Sequence, residues 1–413
     1  MFSFDFIRDN YEVLRYYIDL KGLDTDIDYI YQLTLDRIRI LKEIDKNQQK
    51  INQLNRKYLE MEEESPKKQK IHEELKNLSM RKKYIKKSRK EIETRLNELL
   101  LTIPNIPNIA LYQPHSHFTM EDTLEKEWHP REYDPGIKII PHYDMAHKLR
   151  IYDQNYTKKI SAPKFMLFLP KGSLLVSGIS RHITSYFRDS HFQRIFVSEV
   201  LDRNVVNLMG YAQEDRDMFN IEDSSLQLSP SGHIGILNML SSMNLNRSSL
   251  PLRLNSLSNC FRKEIGGYGK ENRGLLRMYQ FIKNDSIIIS DPDESYENFD
   301  MLISSIEGLI RSFEIPYRII NPSYRNIPFT SSMTLQFESF LPSLNKWVSL
   351  LSVSNTEEFL SRRISLQFRC PKKKIKDYPH ILHCSGPAVE RLIALILENR
   401  QYDPDFDFET LFA

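Results

Sequence analysis

Cysteine is scarce in this chain: the 413 residues include three, Cys260, Cys370 and Cys384. Three irregularly spaced thiols exclude a disulfide framework and point to a reducing compartment. Long apolar runs are missing as well. The most apolar stretches, such as 392-LIALIL-397, are far too short to span a bilayer. The opening MFSFDFIRDN has neither the basic region nor the apolar core of a secretory signal, and Asp5, Asp9 and Glu12 argue against a mitochondrial presequence. The expectation is a cytoplasmic protein with no membrane segment. No repeat or low-complexity tract appears. Net charge is nearly absent too: 57 Lys+Arg stand against 55 Asp+Glu, which argues against a uniformly basic nucleic-acid binder.

What is present is a globular composition, 40% hydrophobic and 27% charged, in a chain long enough for two or three domains. Its charge is unevenly placed. Residues 67–90 hold eleven Lys/Arg and two Glu, a net +9, so the rest of the chain sums to −7. Such a segment suits a polyanion, with a solvated helix face as the alternative.

Residues 1–101 read as helical throughout. A short amphipathic helix runs to about Asp19, and Lys21-Gly22 ends it. Two heptad patterns follow: Ile30, Ile44, Ile51 and Tyr58, then Ile71, Leu78, Ile85, Ile92 and Leu99. Ser65-Pro66 separates them, because proline forces the preceding residue out of the helical region. The pattern predicts an antiparallel two-helix hairpin with its tip near Ser65. Each arm of about 35 residues reaches ~50 Å at 1.5 Å per residue. A charged coiled coil can be a dimerisation device. Here Lys82, Lys83, Lys86, Lys87, Arg89 and Lys90 crowd the return helix, where like charges at i,i+4 repel. Phosphate contacts would offset that cost.

The prolines of 100-LLTIPNIPN-108 mark a linker over 102–124. From 125 to 413 the texture is α+β, built on an antiparallel sheet. Residues 164–170, 285–290, 333–340 and 364–369 read as strands, 303–314 and 388–400 as helices. The densest chemistry lies in 260-CFRKEIGGYGKENRGLLRMYQF-281, a strand, a loop and a returning strand that Phe281 ends. Gly266, Gly267 and Gly269 let the loop approach a ligand. Arg262 and Glu264 alternate onto one side, and Arg273 follows the loop. Two arginines, a carboxylate and a ring suit a nucleotide, although a hairpin with surface charges fits the same letters. In 383-HCSGPAVERLIALILENRQ-401, Arg391 sits in the first turns of a helix, which is unfavourable unless an anion is near.

These segments together resemble the seryl-tRNA synthetases, a family of class II aminoacyl-tRNA synthetases. FIRDN, the two-helix arm, TIPNIPN, 141-PHYDMAHKLRIYD-153, the 260–281 segment (motif 2), 354-SN-355 with 362-RR-363, and SGPAVERLIALILEN (motif 3) fall in family order over most of the chain. The resemblance implies an arm that grips tRNA and a dimeric class II domain that binds ATP and an amino acid, usually with Mg2+. It assigns ATP to Arg262, Glu264, Arg273, Phe281 and Arg391, with Arg262 and Arg391 catalytic. The amino-acid pocket falls on Ser231, His233, Asp285, His383 and Ser385.

Departures concentrate in that pocket. Ser231-Gly232-His233 stands where the family has Thr-Ala-Glu, Asp285 replaces a Glu, His383 an Asn and Cys384 a Gly. Ser349 replaces the metal-binding Glu, although the neighbouring serine ligand survives as Ser352, a weak Mg2+ ligand. The segments 199-EVLDRNVV-206 and 209-MGYAQEDRD-217 also depart. A discriminating pocket needs matched buried polar groups, so serine activation is expected to be altered or impaired. His233, Asp285 and Cys384 are also a donor set for Zn2+, against the alternative of a drifted pocket. An inactive paralogue that holds tRNA, or pairs with a true synthetase as a heterodimer, is the competing expectation.

Overall fold

The computed structural model describes residues 1–61, 66–107, 121–131, 138–162, 164–165, 167–211, 217–264, 273–370 and 375–403. The chain forms two compact units, Met1–Ile103 and Pro104–Ala413.

The first unit is helical. The opening segment is two helices where one was expected: α1 (Phe4–Asp9) and α2 (Tyr11–Lys21). Asn10 separates them and turns its side-chain amide back to the Phe6 carbonyl, competing with the helical ladder. Gly22 ends α2 at φ 64°, a conformation glycine adopts without strain. Two long helices follow, α3 (Ile27–Leu59) and α4 (Pro66–Leu100). The Asp26 carboxylate caps α3 by accepting the Tyr29 N–H at 2.9 Å. Proline opens α4, where its missing N–H costs no helical bond. The expected tip at Ser65 lies outside the described residues.

α3 and α4 run antiparallel. Ion pairs Arg37–Glu93 (2.8 Å), Arg81–Glu43 (2.7 Å) and Lys50–Glu74 (2.7 Å) fix their register. Ile30 and Ile85 of the heptad stripes are buried, and most of the other stripe residues are half-buried. Asn47 is buried among them and donates to the Leu78 carbonyl at 3.0 Å, while its own oxygen has no partner. The cations of α4 divide. Arg81 pairs with Glu43, Arg89 with Glu93, and Lys82 reaches Gln48. Lys83, Lys86 and Lys90 remain exposed on the outer face.

The second unit is built on an eight-stranded sheet. In spatial order its strands are Thr123–Trp128, Tyr317–Asn321, Met333–Leu341, Lys346–Asn355, His380–Ala388, Gln280–Ser290, Leu252–Phe261 and Gln193–Arg194. All neighbours pair antiparallel except the short last strand. Helices Pro170–Asp189, Ser295–Ser312 and Val389–Asn399 supply Ile179, Phe299, Leu302, Leu392 and Ile396 to the main core against one face. The other face carries the polar residues described below. Two expectations fail locally. Among the described residues of 164–170, only Phe168 makes a strand-like bridge, to Tyr152, and Pro170 starts a helix. Residues 364–369 form a strand only from Gln367, in a three-stranded side sheet, after the short helix Phe359–Arg363. No helix among the described residues is long and apolar enough to cross a membrane.

Removing the half-satisfied amide between α3 and α4 is expected to help the arm. Asn47→Leu should stabilise it by about 1–2 kcal/mol, since it replaces a buried polar group lacking a partner. Thermal melting of the full chain followed by helical circular dichroism checks this. An unchanged or lower arm transition counts against it.

Candidate active site

Strand alternation creates one polar face near the middle of the large sheet. Phe281, Lys283 and Asp285 share a side of the Gln280–Ser290 strand. The register sets Asp285 opposite Ser256 on one neighbour and Ser385 on the other. Residues 383 and 385 face the same way as Asp285, as their bonds to this cluster show. The helix Gly232–Met239 brings its N-terminus onto this face, with His233 in its first turn. A side chain at Gly232 would meet Ser258 Oγ at 2.6 Å, so a glycine permits the close approach.

Asp285 is the centre of the cluster and is 0% exposed. Its Oδ2 accepts the Gly232 N–H (2.8 Å) and the Ser231 hydroxyl (3.0 Å). Its Oδ1 accepts from His383 Nε2 (3.3 Å) and forms an ion pair with the Lys283 ammonium 3.0 Å away. A carboxylate offers about four lone-pair sites, and hydrogen bonds take most of them while the ammonium stands beside Oδ1. Burial alone would push this carboxyl up. The Lys283 ammonium and the His383 N–H outweigh it and hold the group well below the usual carboxylate range. Lys283 donates to Ser231 Oγ (2.5 Å) and Ser385 Oγ (3.0 Å). His233 Nδ1 lies 2.6 Å from Ser231 Oγ. Burial, helped by His383, Lys283 and Arg262, lowers His233 well below the usual imidazole value and keeps it neutral.

Two cavities meet here. The larger, about 240 Å3, is lined by Arg262, Glu264, Arg277, Phe281, Glu390 and Arg391, among others. The smaller, about 170 Å3, includes Tyr211, His233, Arg262, Ser352, His383 and Ser385. Arg262, Ser352 and Ser385 border both. The Arg262 guanidinium lies 5.9 Å from the centre of the Phe281 ring. Asn105 of the linker hydrogen-bonds the carbonyls of Phe329, its backbone N–H donating, and of Thr330, bracing a segment that lines the smaller cavity.

The structure thus brings together Arg262, Glu264, Phe281 and Arg391 in one cavity, and His233, His383 and Ser385 in the next. Details differ from expectation. Phe281 stands near the start of its strand, because pairing resumes at Gln280 and continues to Ser290. Arg262 and Glu264 follow the end of the Leu252–Phe261 strand, and Glu264 is paired with Arg277. Arg273 is exposed and absent from the cavity lining, where Arg277 stands instead. Arg391 donates to the carbonyls of Ser349 (2.7 Å) and Leu276 (3.2 and 3.3 Å), so backbone oxygens offset its place near a helix start. The glycines at 266, 267 and 269, and residues 212–216 of the altered loop, lie outside the described residues.

Cys384 does not join the histidines. Strand alternation turns its thiol into the hydrophobic core on the opposite face, where burial pushes its pKa up. Among the described residues, His233, Asp285 and His383 are the group whose ligand atoms lie close enough to hold a metal. They do not fit one as they stand. The Lys283 ammonium, 3.0 Å from Asp285 Oδ1, already stands where a cation would sit. Lys283, Arg277 and Glu390 escaped the sequence reading. Lys283 was findable, since it sits two residues before Asp285 and shares its face.

Comparisons with known proteins agree with this architecture. Residues 1–107 match the family model of the seryl-tRNA synthetase N-terminal domain, and residues 217–400 match the tRNA synthetase class II core domain (G, H, P, S and T). A serine–tRNA ligase of Clostridium tetani is 30% identical over 408 residues, covering 96% of this chain and 93% of the relative. One from Clostridium perfringens is 32% identical over 317 residues, 75% of this chain and 72% of the relative. Among solved structures, a seryl-tRNA synthetase from Pyrococcus horikoshii complexed with ATP superposes with a TM-score of 0.89 at 23% identity. It covers 97% of this chain and 94% of that one.

Glu390 gives this site a pH signature. It is fully buried, both its oxygens accept the Ile282 N–H at 3.0 Å, and burial raises its carboxyl to about 8. Its folded pKa is above the unfolded value, so its contribution to stability is complete in acid and is lost as pH rises through about 8. Glu390→Gln should flatten the fall in melting temperature between pH 6 and 9. A variant that melts in parallel with the parent across that range would contradict this.

Proposed function

The chain belongs to the seryl-tRNA synthetase family of class II aminoacyl-tRNA synthetases, and we propose that it binds ATP in the larger cavity and tRNA through the α3–α4 arm, with serine activation impaired or redirected to another amino acid. Residues 1–101 then act as the tRNA arm, 102–124 as the linker and 125–413 as the catalytic domain, as a dimer in the cytoplasm.

The nucleotide half supports ATP binding. Arg262 borders both cavities, where it would neutralise the α-phosphate as a carboxylate oxygen attacks and pyrophosphate leaves. Arg391 and Arg277 would take the outer phosphates, with Arg273 reaching in from outside. Phe281 offers a ring for the base, and Glu264 would accept the exocyclic amine once Arg277 turns to phosphate. No protein nucleophile is needed; positioning and charge do the work. Mg2+ would be carried chiefly by the phosphates, because Ser349 and Ser352 bring hydroxyls and no carboxylate.

The observation behind impaired serine use is the occupation of Asp285. An incoming ammonium or hydroxyl finds the pocket's carboxylate already hydrogen-bonded by Ser231, Gly232 and His383 and ion-paired with Lys283. The same observation favours a second reading, a catalytically inactive paralogue that binds tRNA or partners a true synthetase. ATP–pyrophosphate exchange across the twenty amino acids separates the two. Exchange with any amino acid, weak or absent for serine, supports the first. No exchange with any of them, alongside tight tRNA binding, supports the second.

The arm makes its own prediction. Replacing Lys83, Lys86 and Lys90 by Ala should reduce the slope of log K against log salt for tRNA binding by about 2–3, one unit or slightly less per lost phosphate contact. An unchanged slope would mean that these lysines are only solvated.

A further inference from the structure

We infer that His233 Nε2 and His383 Nδ1 are the smaller cavity's acceptors for substrate protons, so that this pocket reads hydrogen-bond donors and not positive charge. The inference rests on the proposed use of this cavity for a small carboxylic substrate, and it names what that substrate must carry.

Proton bookkeeping leads to it. Asp285 is ionised and can only accept, so the Ser231 hydroxyl 3.0 Å away donates its single proton there. Ser231 Oγ then has two lone pairs left. The Lys283 ammonium fills one. The contact of 2.6 Å to His233 Nδ1 is attractive only if that nitrogen carries the proton and donates to the other. Neutral His233 therefore has a bare Nε2 on the far side of its ring. His383 follows the same logic. Its Nε2 faces Asp285 Oδ1 at 3.3 Å and donates, which leaves Nδ1 on the other side of the ring for a substrate.

Both rings line the cavity of about 170 Å3, and their centres lie 4.2 Å apart. No carboxylate lines that cavity among the described residues. Lys283 and Arg262 add positive charge nearby. An α-ammonium meets no carboxylate among the described lining residues and loses hydration on entry. An α-hydroxyl meets the same two imidazole acceptors without that cost. The matching ligands are small carboxylic acids with a proton donor on the α-carbon, and amino acids hold little advantage over their α-hydroxy counterparts.

The test is a calorimetric titration of the full chain, loaded with a non-hydrolysable ATP analogue, with L-serine and L-glycerate at pH 8. The two dissociation constants should agree within about tenfold, far from the 10⁴-fold that a matched polar site reaches. His233→Leu should weaken both ligands by about tenfold or more. His383→Leu should do the same, whereas His383→Asn, whose amide donates to Asp285 and offers an oxygen to the cavity, should keep both. A preference for serine above 100-fold, or binding indifferent to these substitutions, overturns the inference. Absence of binding by either ligand while the ATP analogue binds overturns it as well. Failure of the parent chain to bind the ATP analogue removes the wider functional reading, and the inference with it.

Discussion

The buried pair of Lys283 and Asp285 is the contact on which the rest of this site depends. Both side chains are nearly inaccessible, and a charge moved from water into such a place costs several kcal/mol unless it is paired and hydrogen-bonded. The site meets that condition through its neighbours. The helix N-terminus at Ser231–Gly232 and the strand His380–Ala388 supply the donors and acceptors that meet the pair. Hydrogen bonds and the ion pair between them hold Ser231, Ser385 and His383 around the pair, and His233 follows through Ser231. Among the described residues, His233, His383 and Arg262 are the nitrogen-bearing side chains that line the smaller cavity beside it.

This arrangement divides the site. The larger cavity gathers Arg262, Arg277 and Arg391, the Phe281 ring and the Glu264 carboxylate paired with Arg277. The smaller cavity is lined by His233 and His383 and by no carboxylate among the described residues. The family relationship supplies the arm and the sheet.

Much of the fold was legible in the letters. The arm was, because a sevenfold apolar period interrupted by Ser65-Pro66 has few other solutions. Its ends and its free charges were less so. Asn10 splits the first helix by a local hydrogen bond, and Glu43, Gln48 and Glu93 absorb cations that look unpaired in a linear reading. The apolar run 164–170 misled because a short apolar stretch has no period of its own, and Pro170 opens a helix there. In the site, Arg262, Glu264, Phe281 and Arg391 were readable from motif spacing. Cys384 was not, because adjacent residues of a strand face opposite sides and it went with the core. Lys283 was overlooked because a lysine on a strand reads as a solvated charge until its neighbour at 285 proves to be buried.

The most direct test is the protonation pattern of His233 itself. Nitrogen-15 NMR of histidine-labelled protein, with the signal assigned through the His233→Leu variant, reports which ring nitrogen carries the proton. An ionised Asp285 with Ser231 donating to it predicts a neutral His233 at pH 7–8, with Nδ1 protonated and Nε2 bare. Protonation at Nε2, whether in the other tautomer or as an imidazolium, would contradict the account.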